Sequence, residues 1–381
     1  MEQLEAITQN IDAPEDEVND FYSDDDLFKI QSWGADLSFR ELISRYDEDE
    51  LVKPELQRHY VWDKSEASRF IDSILLGLPV PSIFLAKTKN EKLLIIDGYQ
   101  RIMTVRDYVK GVFSKDGNVF KLSRTDKIHD RWKGKAFVEL EEKEQRKIRN
   151  TTIHAIIFMQ RSPENGDTSL FQVFERINSS GRTLLPQEIR NCVYQGPINT
   201  LILSLNNNEK WRILFGKDNR DDRMRDVEYI LRFLALSSTD LLFSEDAPSR
   251  ISLKKYLNQF MDNYNDDSYI ENFQKSFNDS VDIAMTLFGE TAFHNLSATN
   301  PDQFVNRFSP TVFDSVLIAI NLANSRGIPI QDTEVCQAEK IHLLKDSDYQ
   351  KILSQETMRT PNIRLRIFAM FQALTGQGIH Q

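Results

Sequence analysis

The run Leu93-Leu94-Ile95-Ile96-Asp97-Gly98-Tyr99-Gln100-Arg101 constrains this chain more than any other feature. Its four apolar residues read as a strand covered on both faces, and so as a central strand of a sheet. Asp97-Gly98 ends the strand, because glycine lets the backbone bend sharply and approach a ligand closely. Helical spacing begins at once, from Tyr99 to Val109, with Gly111 as its cap. The end of such a strand is where α/β sheets place ligands. Asp97 can cap the helix or face a metal, and the helix N-terminus presents free N–H groups to a phosphate. Gln100 and Arg101 add an amide and a fork of donors that suit phosphate oxygens. The same turn is equally a capped strand-to-helix junction with a surface arginine, and alone it does not separate the two readings.

The neighbouring segments extend the pattern. Phe28–Trp33 alternates as a half-buried strand, and Ser38-Phe39-Arg40-Glu41 has capping-box spacing for a helix through Tyr46. A second helix runs from Ser65, with Phe70, Ile71, Ile74 and Leu75 on one face and Gly77 as its stop. Pro79 and Pro81 exclude helix, and Ile83–Ala86 turns through Lys89-Asn90 into Leu93–Ile96 as a hairpin. A strand at Val119–Leu122, a charged helix around Glu141–Arg149 and an apolar strand at Ile153–Phe158 follow. From Ser169 onward the periodicity is helical. The predicted fold is α+β, with an acidic disordered tail over 1–28, an α+β domain over 29–165 and an all-helical domain over 166–381.

Charge narrows the function. The formal net charge is -11, yet residues 1–28 hold ten acids and no Lys or Arg, and the rest holds 48 acids against 47 bases. Such a tail is usually a solvated segment, and a near-neutral body lacks the field of a protein held to DNA mainly through phosphates. Residues 101–149 are the local exception, with 14 bases and 8 acids, which suits either a polyanion face or an ordinary solvated surface. No apolar run reaches the roughly 18 residues that span a bilayer. No basic and apolar leader opens the sequence, so a cytoplasmic protein is expected. Cys192 and Cys336 stand far apart in apolar contexts and read as buried, reduced thiols. P-loop, CxxC and HExxH patterns are absent.

Two further segments carry suitable chemistry. Gln57-Arg58-His59-Tyr60-Val61-Trp62 sets an amide, a guanidinium and aromatic rings together, which can stack a base and neutralise phosphate or simply form an edge strand. Phe174-Glu175-Arg176-Ile177-Asn178-Ser179-Ser180-Gly181 ends a helix with Arg and Asn before a turn, which also reads as a plain C-cap.

With Asp97–Arg101, these segments resemble the ParB/sulfiredoxin-like family typified by the N-terminal half of the GmrSD restriction endonucleases. Gln57–Trp62 matches its QR-x-Y-x-W element, Asp97–Arg101 its DGQQR element and Phe174–Gly181 its F-x-R-x-N-x-x-G element. Ile71–Pro81, Pro186–Asn191 and Arg225–Glu228 resemble its linking text. The resemblance implies a ParB-like fold that binds nucleoside triphosphates and in several members hydrolyses them, in prokaryotic defence against phage DNA. On this resemblance Asp97, Gln100 and Arg101 are the catalytic core, with Asp97 also facing Mg2+. Gln57, Arg58, Tyr60, Gly98, Tyr99, Arg176 and Asn178 then contact the nucleotide. Tyr99 departs from the family's first Gln: either turnover weakens, or the ring stacks on the base. Longer relatives carry an HNH-type nuclease, but His294, His342 and His380 are isolated here. The implied partners are a nucleoside triphosphate, DNA and a separate nuclease or defence-system subunit, with no membrane. Two rival readings are a non-catalytic nucleotide- or DNA-sensing module and a ParB-like DNA-binding protein.

Overall fold

Leu93–Asp97 forms a strand, as its apolar run requires, and Leu93, Leu94, Ile95 and Ile96 are all buried. The computed structural model describes Ile11 and residues 29–53, 62–88, 91–162, 171, 173, 185–194, 196–217, 219–297 and 299–379. Contacts divide the chain into two units, Asp26–Val193 and Tyr194–Gln381 together with Met1–Asp25.

The first unit is built on a five-stranded mixed sheet. Its strands are β1 (Lys29–Ser38), β2 (Leu51–Val52), β3 (Ile83–Lys87), β4 (Leu93–Asp97) and β5 (Thr152–Ser162), in the order β1-β5-β3-β4-β2. β3 and β4 are the antiparallel hairpin that the Lys89-Asn90 turn predicts. β4 is interior, second from the edge beside the two-residue β2, and β3 is the middle strand, with β5 and β4 on its two sides. β1 pairs with β5 along its whole length, from Lys29 opposite Ser162 to Ser38 opposite Thr152. Alternation on β5 puts Ile153, Ala155 and Ile157 into the core and leaves His154 outside.

Among the described residues five α-helices fall in this unit: α1 (Phe39–Asp47), α2 (Lys64–Leu76), α3 (Tyr99–Lys110), α4 (Glu142–Asn150) and α5 (Pro186–Val193). The Ser38 hydroxyl accepts from the Glu41 N–H at 3.2 Å, so the predicted cap is present. Asp63 and Glu66 cap α2 reciprocally, and Gly77 closes it at φ +83°. Phe39, Leu42, Ile71, Ile74, Ile102 and Tyr108 meet the strand residues Ile83, Ile95 and Ile153 in one core.

The strand predicted at Val119–Leu122 does not form. Only single bridges occur there, Val112 with Val119 and Lys121 with Ala136, and Val119 is 59% exposed. Phe120 is held by ring contacts instead, 5.1 Å from Tyr108 and 4.9 Å from Phe113. Several bases of 101–149 are engaged in ion pairs within the unit. Arg106 and Lys110 meet Asp47, Lys121 meets Glu139, and Arg131 meets Glu141 and Glu144; of these acids only Asp47 comes from outside that segment.

The second unit is helical with one correction to the all-helical expectation: His294–Leu296 and Phe304–Phe308 pair as an antiparallel two-stranded sheet. Its last residue explains the exception, since Phe308 packs 4.6 Å from Tyr229, 5.4 Å from Phe313 and 5.7 Å from Phe293. Deeper in this unit Arg232 grips Asp314 with two hydrogen bonds of 2.7 Å, and Arg366 adds a third at 2.8 Å. Within the acidic N-terminal segment, Ile11 is buried and bridges Phe308. Cys336 is a buried free thiol, whereas the Cys192 side chain lies outside the described residues. Among the described residues no helix is long and apolar enough to cross a membrane.

Candidate functional site

β4 carries Asp97 to the end of the sheet, opposite Phe84 of β3. Gly98 then turns the chain into α3 at φ +105° and ψ 1°. Two independent facts demand glycine there. Positive φ is costly for any residue with a Cβ, and a Cβ at this position would lie 2.2 Å from the Ile83 Cγ2. Glycine has no capping side chain, so the first turn of α3 has no side-chain cap on its N–H groups. Uncapped N–H groups at the positive end of a helix dipole suit an anion.

Arg101, in that first turn, points back rather than outward. Its Nη1 donates to the carbonyls of Pro81 at 2.7 Å and Ser82 at 2.8 Å, and its Nη2 donates to Asp97 Oδ2. The guanidinium side chain is 13% exposed and the Asp97 side chain 45%. Arg101 therefore ties the Pro-x-Pro turn to the end of β4 and fixes the carboxylate, while Asp97 is the group that faces solvent. A guanidinium so engaged has little of its fork left for a phosphate.

Gln100 reaches the other way, its Oε1 accepting from the Trp62 N–H at 3.3 Å. Trp62, the last residue of the first motif, packs edge-on against Phe70 at 5.6 Å. The described end of that motif is thus brought to the first turn of α3. Gln57, Arg58 and Tyr60, like Arg176 and Asn178, lie outside the described residues.

Tyr99 is 8% exposed, with Lys53 Nζ 5.0 Å from its ring centroid. Burial, and then the neighbouring Tyr46 hydroxyl with which it shares a hydrogen bond, push its phenol well above the ordinary tyrosine range. Burial in turn lowers the Lys53 ammonium. Tyr99 fills space under α3, which leaves little ring face for a stacked base. Pro81, Ser82, Tyr46, Lys53 and Ile83 complete this arrangement, and sequence reasoning missed all five as site residues. Pro81 was legible only as a helix breaker, and nothing local links Tyr46 or Lys53 to residue 99.

Among the described residues no group of three His, Cys, Asp or Glu side chains could cage a metal ion. Asp97 offers a single half-exposed carboxylate. That fits Mg2+, which is commonly held by one or two carboxylates together with substrate phosphates and water.

Residues 39–195 match the family model described as the GmrSD restriction endonuclease, N-terminal domain. The resemblance read from the motifs holds over this span, which includes β2 to β5, the Asp97-Gly98 turn and both flanking motifs. No curated protein matches the chain.

Proposed function

We propose that this chain is a cytoplasmic nucleotide-binding protein of prokaryotic restriction or anti-phage defence, with a ParB-like first domain and a nucleoside triphosphate as its ligand. The carrying observation is the Asp97-Gly98 junction. A carboxylate fixed by an arginine stands beside an uncapped helix N-terminus, at a strand end inside the segment matching the GmrSD N-terminal domain. Phosphate oxygens would meet the first-turn N–H groups of α3, which no side chain caps. Mg2+, entering with the phosphates, would neutralise their charge, and Asp97 is the side chain that would hold it.

In the hydrolytic form of this reading, Asp97 Oδ1 orients the attacking water or the Mg2+, and Gln100 ties Trp62 to the first turn of α3. Arg101 acts as a positioning residue through Asp97. The charge-stabilising guanidinium then has to come from Arg58 or Arg176, since phosphoryl transfer rests on positioning and charge stabilisation. The test is phosphate release with each of the four NTPs and Mg2+, for the wild type and Asp97→Ala. Release that Asp97→Ala abolishes is expected, and release equal in both proteins would refute the assignment.

A second reading has its own support. Tyr99 stands buried where the family has Gln, and Arg101 is occupied by protein acceptors. Both favour a non-catalytic nucleotide- or DNA-sensing module that acts on a separate nuclease subunit. Nucleotide binding without phosphate release would select it. Strongly salt-dependent binding of duplex DNA without nucleotide would favour a DNA-binding protein over both.

A further inference from the structure

We infer that the helical unit holds a second ligand site: a cavity of about 240 Å3 that takes a neutral, planar heteroaromatic ring, as a free nucleobase or nucleoside. It lies where the end of the helix Arg225–Leu236 meets the helices Leu253–Asn263 and Asp267–Phe288. This inference is independent of the nucleotide reading for the first unit.

Three features define the ligand. The first is the wall. Phe260 and Tyr264 stack at 4.6 Å with their planes 30° apart, and Phe273 lies 5.6 and 5.8 Å from them. Phe233 and Phe260 are buried, while Tyr264 and Phe273 are only partly so, leaving ring surface at the cavity. Flat aromatic walls favour flat partners, and every nucleobase has a π-face that can stack on such rings.

The second feature is the absence of charge. None of the eleven residues lining the cavity is Asp, Glu, Lys, Arg or His. A phosphate or carboxylate entering it would lose hydration and meet no counter-charge. Burial, then Asp240, then Tyr269 push the Tyr264 phenol above its ordinary value, so this wall stays neutral.

The third is the polar edge. Ser237, Thr239, Ser276, Asn272 and Asn321, with three hydroxyls and two carboxamides, line the same space. They supply donors and acceptors together, the pattern that a heterocycle edge presents. The Ser237 Oγ is buried with no hydrogen-bond partner, a deficit that a bound donor or acceptor would relieve. At roughly 30 Å3 per water the cavity displaces about eight waters. That is room for a base of about ten heavy atoms, and below the roughly 300–1,000 Å3 of drug-sized sites.

The test is calorimetric titration of the full chain with adenosine, cytidine and AMP. Saturable binding of at least one nucleoside is expected, with AMP at least tenfold weaker than adenosine at this site. Ser276→Trp fills the cavity and should weaken nucleoside binding tenfold or more. Asn272→Leu, at an exposed position that keeps the fold, should weaken it about fivefold. Asp97→Ala should leave it unchanged, which separates this site from the one at β4. Lack of saturable binding by either nucleoside overturns the inference, as does affinity unchanged in both cavity variants or lost in Asp97→Ala.

Discussion

Replacing Gly98 by alanine isolates what the strand-to-helix turn requires. The backbone stands at φ +105°, and the added Cβ would meet Ile83 at 2.2 Å from Cγ2 and 2.8 Å from Cβ. Ile83 is fully buried on β3, so it has no free space to turn into. The left-handed backbone contributes about 1–2 kcal/mol of destabilisation and the overpacking about 1–3 kcal/mol more. Gly111 is the control, because it caps the same helix at φ +83° with nothing within 4 Å of its would-be Cβ. Gly111→Ala therefore suffers the backbone term alone. Hydrogen exchange read on peptides covering β4 and α3 would compare the two locally, without assuming that both units unfold together. The excess of about 1–3 kcal/mol corresponds to roughly 5- to 150-fold faster opening in Gly98→Ala than in Gly111→Ala. Equal protection in the two variants would refute the argument that Ile83 blocks the site.

Other perturbations follow from the same geometry. Arg101→Lys cannot bridge Asp97 and two carbonyls at once, so exchange at the start of β3 and in the first turns of α3 should speed up while β1 stays protected; unchanged exchange there would count against Arg101 as a tie. Asp314→Ala leaves Arg232 and Arg366 buried without their shared carboxylate. Thermal melting should show a loss of about 3–5 kcal/mol, and a loss below about 1 kcal/mol would contradict the pairing. Lys340 is fully buried, donates to the Thr291 and Ala292 carbonyls, and burial pulls its ammonium from 10.5 to about 7. Between those two values the unfolded chain binds this proton more tightly than the folded one. Its contribution to stability is therefore full above about 10.5 and falls as the pH drops towards 7. Denaturation curves across that window should lose part of their slope in Lys340→Met, by up to about 1.4 kcal/mol per pH unit; an unaltered slope would refute it.

What was legible in the sequence was local. The β3–β4 hairpin, the Gly98 turn and the Ser38 and Gly77 caps each depend on residues within a few positions of one another. The pairing of β1 with β5 joins residues more than a hundred positions apart, and periodicity holds no record of it. The strand expected at Val119 failed because an apolar run needs a ladder partner, and this one found ring contacts instead. The missed Phe304–Phe308 strand is short, and its polar middle residues, Asn306 and Arg307, hide the phenylalanine that anchors it. At the site, Asp97, Gly98 and Arg101 were found because one motif contains them. The role of Arg101 was not, because its carbonyl partners lie twenty positions upstream and carry no side-chain signature.

The bracing of Asp97 by Arg101 also bears on kinetics. A ligand reaching the end of β4 meets a carboxylate whose rotamer is set and a Pro-x-Pro turn already anchored. Immobilising such a side chain at the moment of association would cost about 0.5–1.5 kcal/mol, and here that ordering is completed during folding. The candidate site is preorganised at this corner, so affinity differences among the ligands tested there should lie in how long each one stays rather than in how fast it arrives.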